Sequence, residues 1–255
     1  MIRHLLPVLG LVALHAHACQ IKIAYNEIAA PPHYLGDGQA IPENPGISVE
    51  LTDLAASRLG CKIRWLRLPI KRILRDLELN TIDATLALSY AAERTSFAVY
   101  PMRDGKPDSA LAAWTSSYDF YVLPDSTLRW DGKQFNRTPR GVGANAGFSV
   151  VQDLARMGIA ADEAQGDSNN FGKLVKGRIE VYAGQDLTLA QIRMQPEFKD
   201  IKKLEPSFVR KHYYLVFSRS YYGESADRVN QLWRQIARLR QTEGKRMERK
   251  YKGSY

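Results

Sequence analysis

The sequence predicts an α/β protein of two lobes, each a mainly parallel sheet flanked by helices, joined by two chain crossings. Three observations predict it. The 255 residues are 45% hydrophobic, 25% charged and 10% aromatic, which at this length suffices to bury one large or two medium cores. Strand-like and helix-like periodicities alternate along the chain, the pattern of strand, helix, strand units with parallel strands. Two stretches also share one local grammar. Leu77-Glu-Leu-Asn-Thr-Ile-Asp83-Ala and Leu174-Val-Lys-Gly-Arg-Ile-Glu180-Val both read as helix end, left-handed stop, Ile, acid, strand.

The elements follow in chain order. Residues 1–18 read as a secretory signal peptide: Arg3 gives a positive start, Leu5 to Leu14 is apolar, and Ala16 and Ala18 flank His17 as a cleavage site. The apolar run is too short to span a bilayer, so the expected protein is exported to the periplasm and soluble. Ile21 to Tyr25 is a strand. Ser48 reads as the cap of a helix with Leu51, Leu54, Ala55 and Leu59 on one face and Gly60 as its stop, and Ile63 to Leu66 is a second strand. Pro69 suits the first position of a helix carrying Ile70, Ile73, Leu74 and Leu77, ending near Asn80; Ile82 to Leu88 alternates as a third strand.

The second lobe repeats part of this plan. Val142 to Ala146 reads as a strand, Ser149 to Met157 as a helix stopped by Gly158, Phe171 to Lys176 as a helix stopped by Gly177, and Ile179 to Ala183 as a strand. The crossings are Tyr118 to Leu123 and His212 to Ser218, the latter leading into a last helix with Val229, Leu232, Trp233, Ile236 and Leu239 on one face. The expected division is 19–117 with 212–255 as the first lobe and 118–211 as the second. Two crossings make a hinge.

Cys19 and Cys61 each stand two residues ahead of a strand-like run. If those strands are parallel neighbours, both cysteines fall at one sheet edge, within reach of a disulfide, which an oxidising compartment favours. Lipidation of Cys19 at the cleavage site is the competing fate, and the two exclude each other. The formal charge is +9. Lys245, Arg246, Arg249, Lys250 and Lys252 cluster near the C-terminus within an amphipathic helical pattern and read as a solvated helix face; no nucleic-acid partner is expected.

In open α/β sheets, ligands sit beyond the carboxyl ends of the strands. That rule nominates Tyr25-Asn26-Glu27, Leu88-Ser89 with Arg94 just beyond, Ala146 to Ser149, and Gly184-Gln185-Asp186. Facing lobes would bring these loops into one cleft.

At this point the sequence resembles the polar-amino-acid class of bacterial extracellular solute-binding proteins, two-lobed clamshells that serve ABC importers. The resemblance rests on Gly46-Ile-Ser-Val-Glu-Leu-Thr-Asp-Leu-Ala-Ala-Ser-Arg-Leu-Gly60, Asn80-Thr-Ile-Asp83-Ala, Ser89-Tyr-Ala-Ala-Glu-Arg94, Gly177-Arg-Ile-Glu180 and the aromatic strand before the last helix. It covers nearly all of the mature chain. It implies a small carboxylate-bearing ligand, a membrane permease or a sensor kinase as partner, a monomer and no cofactor. Arg94 is then the residue that forks a ligand carboxylate, with Ser89 beside it, since a guanidinium makes two parallel charge-assisted bonds. Gly147, Phe148 and Ser149 open a helix whose amides can take the same anion from the other lobe. Tyr25, Leu88, Gln185 and Asp186 complete the expected ligand-binding set.

Departures from the family accompany the match. The Asp that commonly binds a ligand ammonium after the Gly-Arg-Ile-acid strand is replaced in register by Gln185, with Asp186 one residue late. The aromatic residue that stacks on ligands after the first strand is replaced by Ile28 and Ala29. An enzyme on the same fold would need a cleft acid or base, for which Glu27 and Asp186 are the candidates. Gly141-Val-Gly143-Ala-Asn-Ala-Gly147 is not read as a dinucleotide loop, because its early glycines fall inside the strand. His33 and His212 are far apart and lack ligand-spaced partners, so no metal site is expected.

Overall fold

The computed structural model describes residues 19–186 and 195–253, so the expected signal peptide lies outside the described residues. In the first half, β1 (Cys19–Asn26), α1 (Ile47–Arg58), β2 (Cys61–Leu68), α2 (Ile70–Glu78) and β3 (Ala84–Ser89) form the expected strand, helix, strand, helix, strand series. β4 (Ala98–Val99) and a small hairpin of β5 (Met102–Arg103) with β6 (Lys106–Pro107) follow. The second half carries β7 (Trp114–Val122), β8 (Val142–Asn145), α3 (Val150–Arg156), β9 (Ala161–Ala164), α4 (Asp167–Val175) and β10 (Val181–Gln185). β11 (Lys202–Ser218) and α5 (Arg219–Tyr251) close the described chain.

All of the strands but the hairpin join one sheet, ordered β2-β1-β3-β11-β7-β10-β8-β9, with β4 paired to β11. The outer pairs β1–β2, β1–β3, β8–β9 and β8–β10 are parallel, and the central pair β7–β11 is antiparallel. The two crossing strands are therefore hydrogen-bonded to each other. β11 is far longer than its apolar run predicts, because Tyr213 to Ser218 is only its buried end; Lys202 to His212 mixes exposed and half-buried residues along β7. A register shift between Leu204 and Val209 bends it midway.

Helices cover both faces of the sheet, which is why its strands carry apolar residues on both sides. In the first half, α1 and α5 pack on Ile21, Ile23 and Phe217, while α2 packs through Ile73 and Leu77 on Ala24, Tyr214 and Val216. In the second half, α4 packs through Phe171 and Leu174 on Tyr121 and Tyr182.

Several boundaries differ from the sequence reading for identifiable reasons. Gly46, not Ser48, precedes the first turn of α1: its φ is +110°, and a Cβ there would stand 2.5 Å from His33 O. Ser48 instead faces His33, with Oγ 3.1 Å from Nδ1. Pro69 caps α2 with extended backbone rather than opening it. Ile82 and Ile179 precede their strands. The acid after each is used as a clamp: Asp83 Oδ2 accepts the Lys22 amide at 2.7 Å, and Glu180 Oε2 accepts the Arg140 amide at 2.8 Å. α4 starts at Asp167, before the apolar residues that revealed it, and the short edge strand β9, polar along its length, was not expected. Gly143 lies inside β8 as expected, and a Cβ there would meet Ile179 Cδ1 at 2.4 Å. Cys19 and Cys61 face each other in the β1–β2 register and form a disulfide.

Candidate functional site

The carboxyl ends of β1, β3, β8, β9 and β10 converge on one cleft between the two halves of the sheet. Its outer part is a cavity of about 250 Å³ whose walls include Asn26, Glu27, Ile28, Ile70 and Lys71 from the first half and Asn145, Phe148, Glu163, Asp167 and Gln185 from the second. Its deep part is only about 30 Å³ and is walled by Leu88, Ser89, Arg94, Trp114, Tyr118, Gly147, Ser149 and Tyr213. Asn26, Tyr34, Ile70, Phe148 and Gln185 border both, so the two adjoin.

The deep end is closed by direct bonds between the halves. Arg94 is buried in a short 3₁₀ turn (Ala92–Ser96) beyond β3. Its Nη1 donates to Ser89 O at 2.9 Å and its Nη2 to Gly147 O, across the cleft, at 3.2 Å. Ser89 Oγ lies 2.7 Å from Ser149 Oγ, a second cross-cleft contact. Tyr100 OH donates to Ser89 O at 3.0 Å and holds the end of β3 in place. Gly147 lets the halves approach: its φ is +76°, and a Cβ would lie 3.2 Å from Ile70 Cγ2 and 3.3 Å from Lys71 Cγ.

A second cation completes the deep end. Lys211, in the hinge strand β11, donates to Ser149 Oγ at 2.7 Å and is ion-paired with Asp153 of α3. Its ammonium also stands 5.7 Å from the Tyr118 ring centre. Burial lowers its pKa and the Asp153 pair opposes that. Sequence reasoning missed Lys211 because it sits one residue before the aromatic run. Strand alternation carried back from Tyr213, which lines the deep cavity, would have put Lys211 on the same face.

The outer end has the opposite electrostatic character, with Glu27, Glu163 and Asp167 against the single amine of Lys71. Asp167 Oδ1 accepts Asn145 Nδ2 at 2.8 Å and also the Tyr182 hydroxyl. Glu163 Oε2 accepts the Gly147 amide at 2.9 Å. The amide expected to receive a ligand carboxylate thus already holds a carboxylate of the protein.

Of the expected site residues, Leu88, Ser89, Arg94, Gly147, Phe148, Ser149 and Gln185 come together at this cleft. Two do not. Tyr25 is in the core, edge-on to Tyr34 and Trp65 with the Arg67 guanidinium over its ring, and lines neither cavity. It alternates inward because β1 is covered on both faces. Asp186 is exposed, outside both cavities, and accepts Ser116 Oγ at 2.6 Å. His33 stacks on Trp114 with ring centres 4.2 Å apart, and Trp114 on Tyr213 at 5.2 Å; burial pushes the His33 pKa down to about 3, so this stack behind the cleft is neutral. Among the described residues, no group of three His, Cys, Asp or Glu side chains could hold a metal ion. No described helix is long and apolar enough to cross a membrane.

No protein-family model matches the sequence, and the comparison with curated proteins finds no match. Solved structures match closely in shape. A histidine kinase sensor domain with similarity to periplasmic binding proteins superposes with a TM-score of 0.72 at 15% identity, covering 92% of this chain and 96% of that one. A mutant of ArgBP from T. maritima gives 0.67 at 16% identity, covering 91% and 94%. The GluR0 ligand-binding core from Nostoc punctiforme, in complex with L-glutamate, gives 0.67 at 14% identity, covering 91% and 98%. At these identities the likeness concerns the fold, and the chain has the two-lobed fold of the periplasmic binding proteins.

Proposed function

We propose that the protein captures a small carboxylate-bearing solute, an amino acid or a close derivative, in the cleft between its halves and presents it to a membrane partner. The supporting observation is the deep end of the cleft. The buried Arg94 guanidinium and the hydroxyls of Ser89 and Ser149 line it, the half-buried Lys211 ammonium, paired with Asp153, bonds to Ser149 beside it, and among the described residues no carboxylate lines the deep cavity itself. Such a cluster is built for an anion, because its cations lose hydration on closure and regain it only as charge-assisted bonds. A ligand carboxylate would replace Gly147 O on Arg94, and the acidic outer wall would face any ammonium the ligand carries. In this reading Glu163 and Asp167 supply the negative charge that Gln185 does not.

In this reading the lobes are 19–117 with 212–255 and 118–211, and the β7–β11 pair serves as the hinge. The role in this reading is binding rather than catalysis, in keeping with solved neighbours that are binding proteins and a sensor domain. The membrane partner is an ABC permease. A sensor kinase is the second reading, favoured by the likeness to a kinase sensor domain.

A thermal-shift screen of amino acids and small carboxylates, each paired with its carboxamide, tests the proposal. A true ligand stabilises the native state by mass action, so at least one free acid should raise Tm while its amide does not. No shift from any acid, or equal shifts from acid and amide, would contradict it.

A further inference from the structure

The excess positive charge of this protein is not spread over its surface. Between positions 226 and 252 there are nine Lys and Arg against Asp227, Glu243 and Glu248, a surplus of six within a chain whose formal charge is +9. This stretch is the straight part of α5, beyond the break at Ser225, where φ is −138°. Its orientation is fixed. Val229, Leu232, Trp233, Ile236, Leu239, Met247 and Tyr251 are buried on the inner side, and the Tyr251 hydroxyl donates to Glu50 Oε1 at 2.6 Å.

The outward side is therefore a permanent feature. Arg234, Arg238, Lys245 and Arg249 are all exposed, and none makes a hydrogen bond or ion pair with any described residue. At 3.6 residues per turn they fall within about 60° of arc and run along roughly 22 Å of helix. Other cations of α5 are engaged elsewhere: Arg219 with Thr95 O, Arg240 with Ala110 O and Ala112 O, Arg246 with Glu243, Lys250 with Glu50. None of the four stripe residues lines the cleft.

We infer that this stripe docks the protein on an anionic lipid surface, leaving the cleft free. A protein partner fits less well. Protein interfaces centre on a desolvated aromatic or apolar core, and among the described residues the exposed large hydrophobics, Ile41, Leu79, Met102 and Val175, are all off this helix. A row of unpaired cations without an apolar wedge is suited to mobile phosphate headgroups that arrange themselves around it. Attachment of this kind is electrostatic and weakens within a Debye length as salt rises.

Co-sedimentation of the protein with vesicles of phosphatidylcholine alone, or with 30% phosphatidylglycerol, tests the inference; the readout is the difference between the two. At low salt the anionic vesicles should bind at least about tenfold more protein, and the excess should fade toward 0.5 M NaCl. The double variant Arg238→Glu/Lys245→Glu should lose that excess with unchanged Tm, since both side chains are exposed. A 20-base-pair DNA duplex serves as the competing polyanion. Equal binding to both vesicle types, an excess that survives the double variant, or binding of the duplex but not of the anionic vesicles would each overturn the inference.

Discussion

The two halves of the molecule use the same strand, helix, strand grammar but are fastened by different chemistry. In the first, Asp83 reaches across to the Lys22 amide and a disulfide joins the outer strand pair through Cys19 and Cys61. In the second, Glu180 reaches across to the Arg140 amide in the same way, and the chain has no further cysteine. Its reinforcement is electrostatic: Arg137 grips both carboxylate oxygens of Glu180, and Arg140 adds a weaker contact. The halves also bring different things to the cleft. At the deep end the first supplies a charged side chain, Arg94, and the second a loop whose backbone oxygen meets Arg94 and whose amide meets Glu163. One half is therefore sensitive to redox and the other to acid, and anion binding should depend on a side chain from one and a loop from the other.

Reducing the disulfide should have the largest effect. Its 42-residue separation corresponds to about 4 kcal/mol in the chain-entropy account. Denaturant unfolding of the oxidised protein and of the Cys19→Ser/Cys61→Ser double variant measures the loss. Hydrogen exchange should rise first in β1 and β2, and exchange rising equally in β8 and β9 would remove the contrast between the halves.

Arg94→Ala should come next, lowering affinity for an identified carboxylate ligand by about 3 kcal/mol, a hundredfold or more, as read by calorimetric titration. The fold should persist, because Arg94 lies beyond β3 and its partners are the carbonyls of Ser89, at the very end of β3, and of Gly147, in a loop.

Much of this was legible in the sequence. Period-2 runs at Ile21 and Ile63, the apolar stripe from Ile70 to Leu77 and the repeated Ile-acid step identify the parallel units, because the inward face of each strand packs on a helix and leaves an apolar signal at alternate positions. β9 and the outer part of β11 were not legible, since Ala161 to Ala164 and Lys202 to Arg210 lie at or near the surface and mix polar residues with few apolar ones. At the site, the rule that ligands gather at strand ends located Ser89, Arg94 and the 147–149 loop. It failed for Tyr25, which is still inside its strand, and could not find Lys211, whose role depends on which residues face each other across β7 and β11. Asp167 escaped for a similar reason: its helix was recognised only from its apolar end.

Acid should affect the second half selectively. The two arginines hold the Glu180 pKa down to about 2, below its unfolded value near 4.5. A depressed carboxylate pKa contributes stability that is fully present above the unfolded value and is lost as pH falls through 4.5 toward 2. The Glu180→Gln variant should melt about 2 to 4 °C lower at neutral pH, and the difference from wild type should shrink below pH 4. A difference constant from pH 7 to pH 3 would mean that the ion pairs are not what fastens this half.

The smallest expected effect is that of Lys211→Met, about a tenfold loss of affinity for a carboxylate ligand, measured by the same titration. Asp153 keeps Arg156 as a partner at 2.6 Å, so stability should change little. Unchanged affinity would assign Lys211 to packing between α3 and β11 rather than to the anion.

The central claim is that the halves meet around the ligand, and small-angle scattering tests it most directly. The 2.7 Å contact between Ser89 and Ser149 belongs to a shut cleft. A ligand can favour that state only through contacts it makes when both halves touch it. The saturated protein should therefore give the scattering curve calculated from this structure, and the unliganded protein a larger radius of gyration. Identical curves with and without saturating ligand would contradict capture by closure.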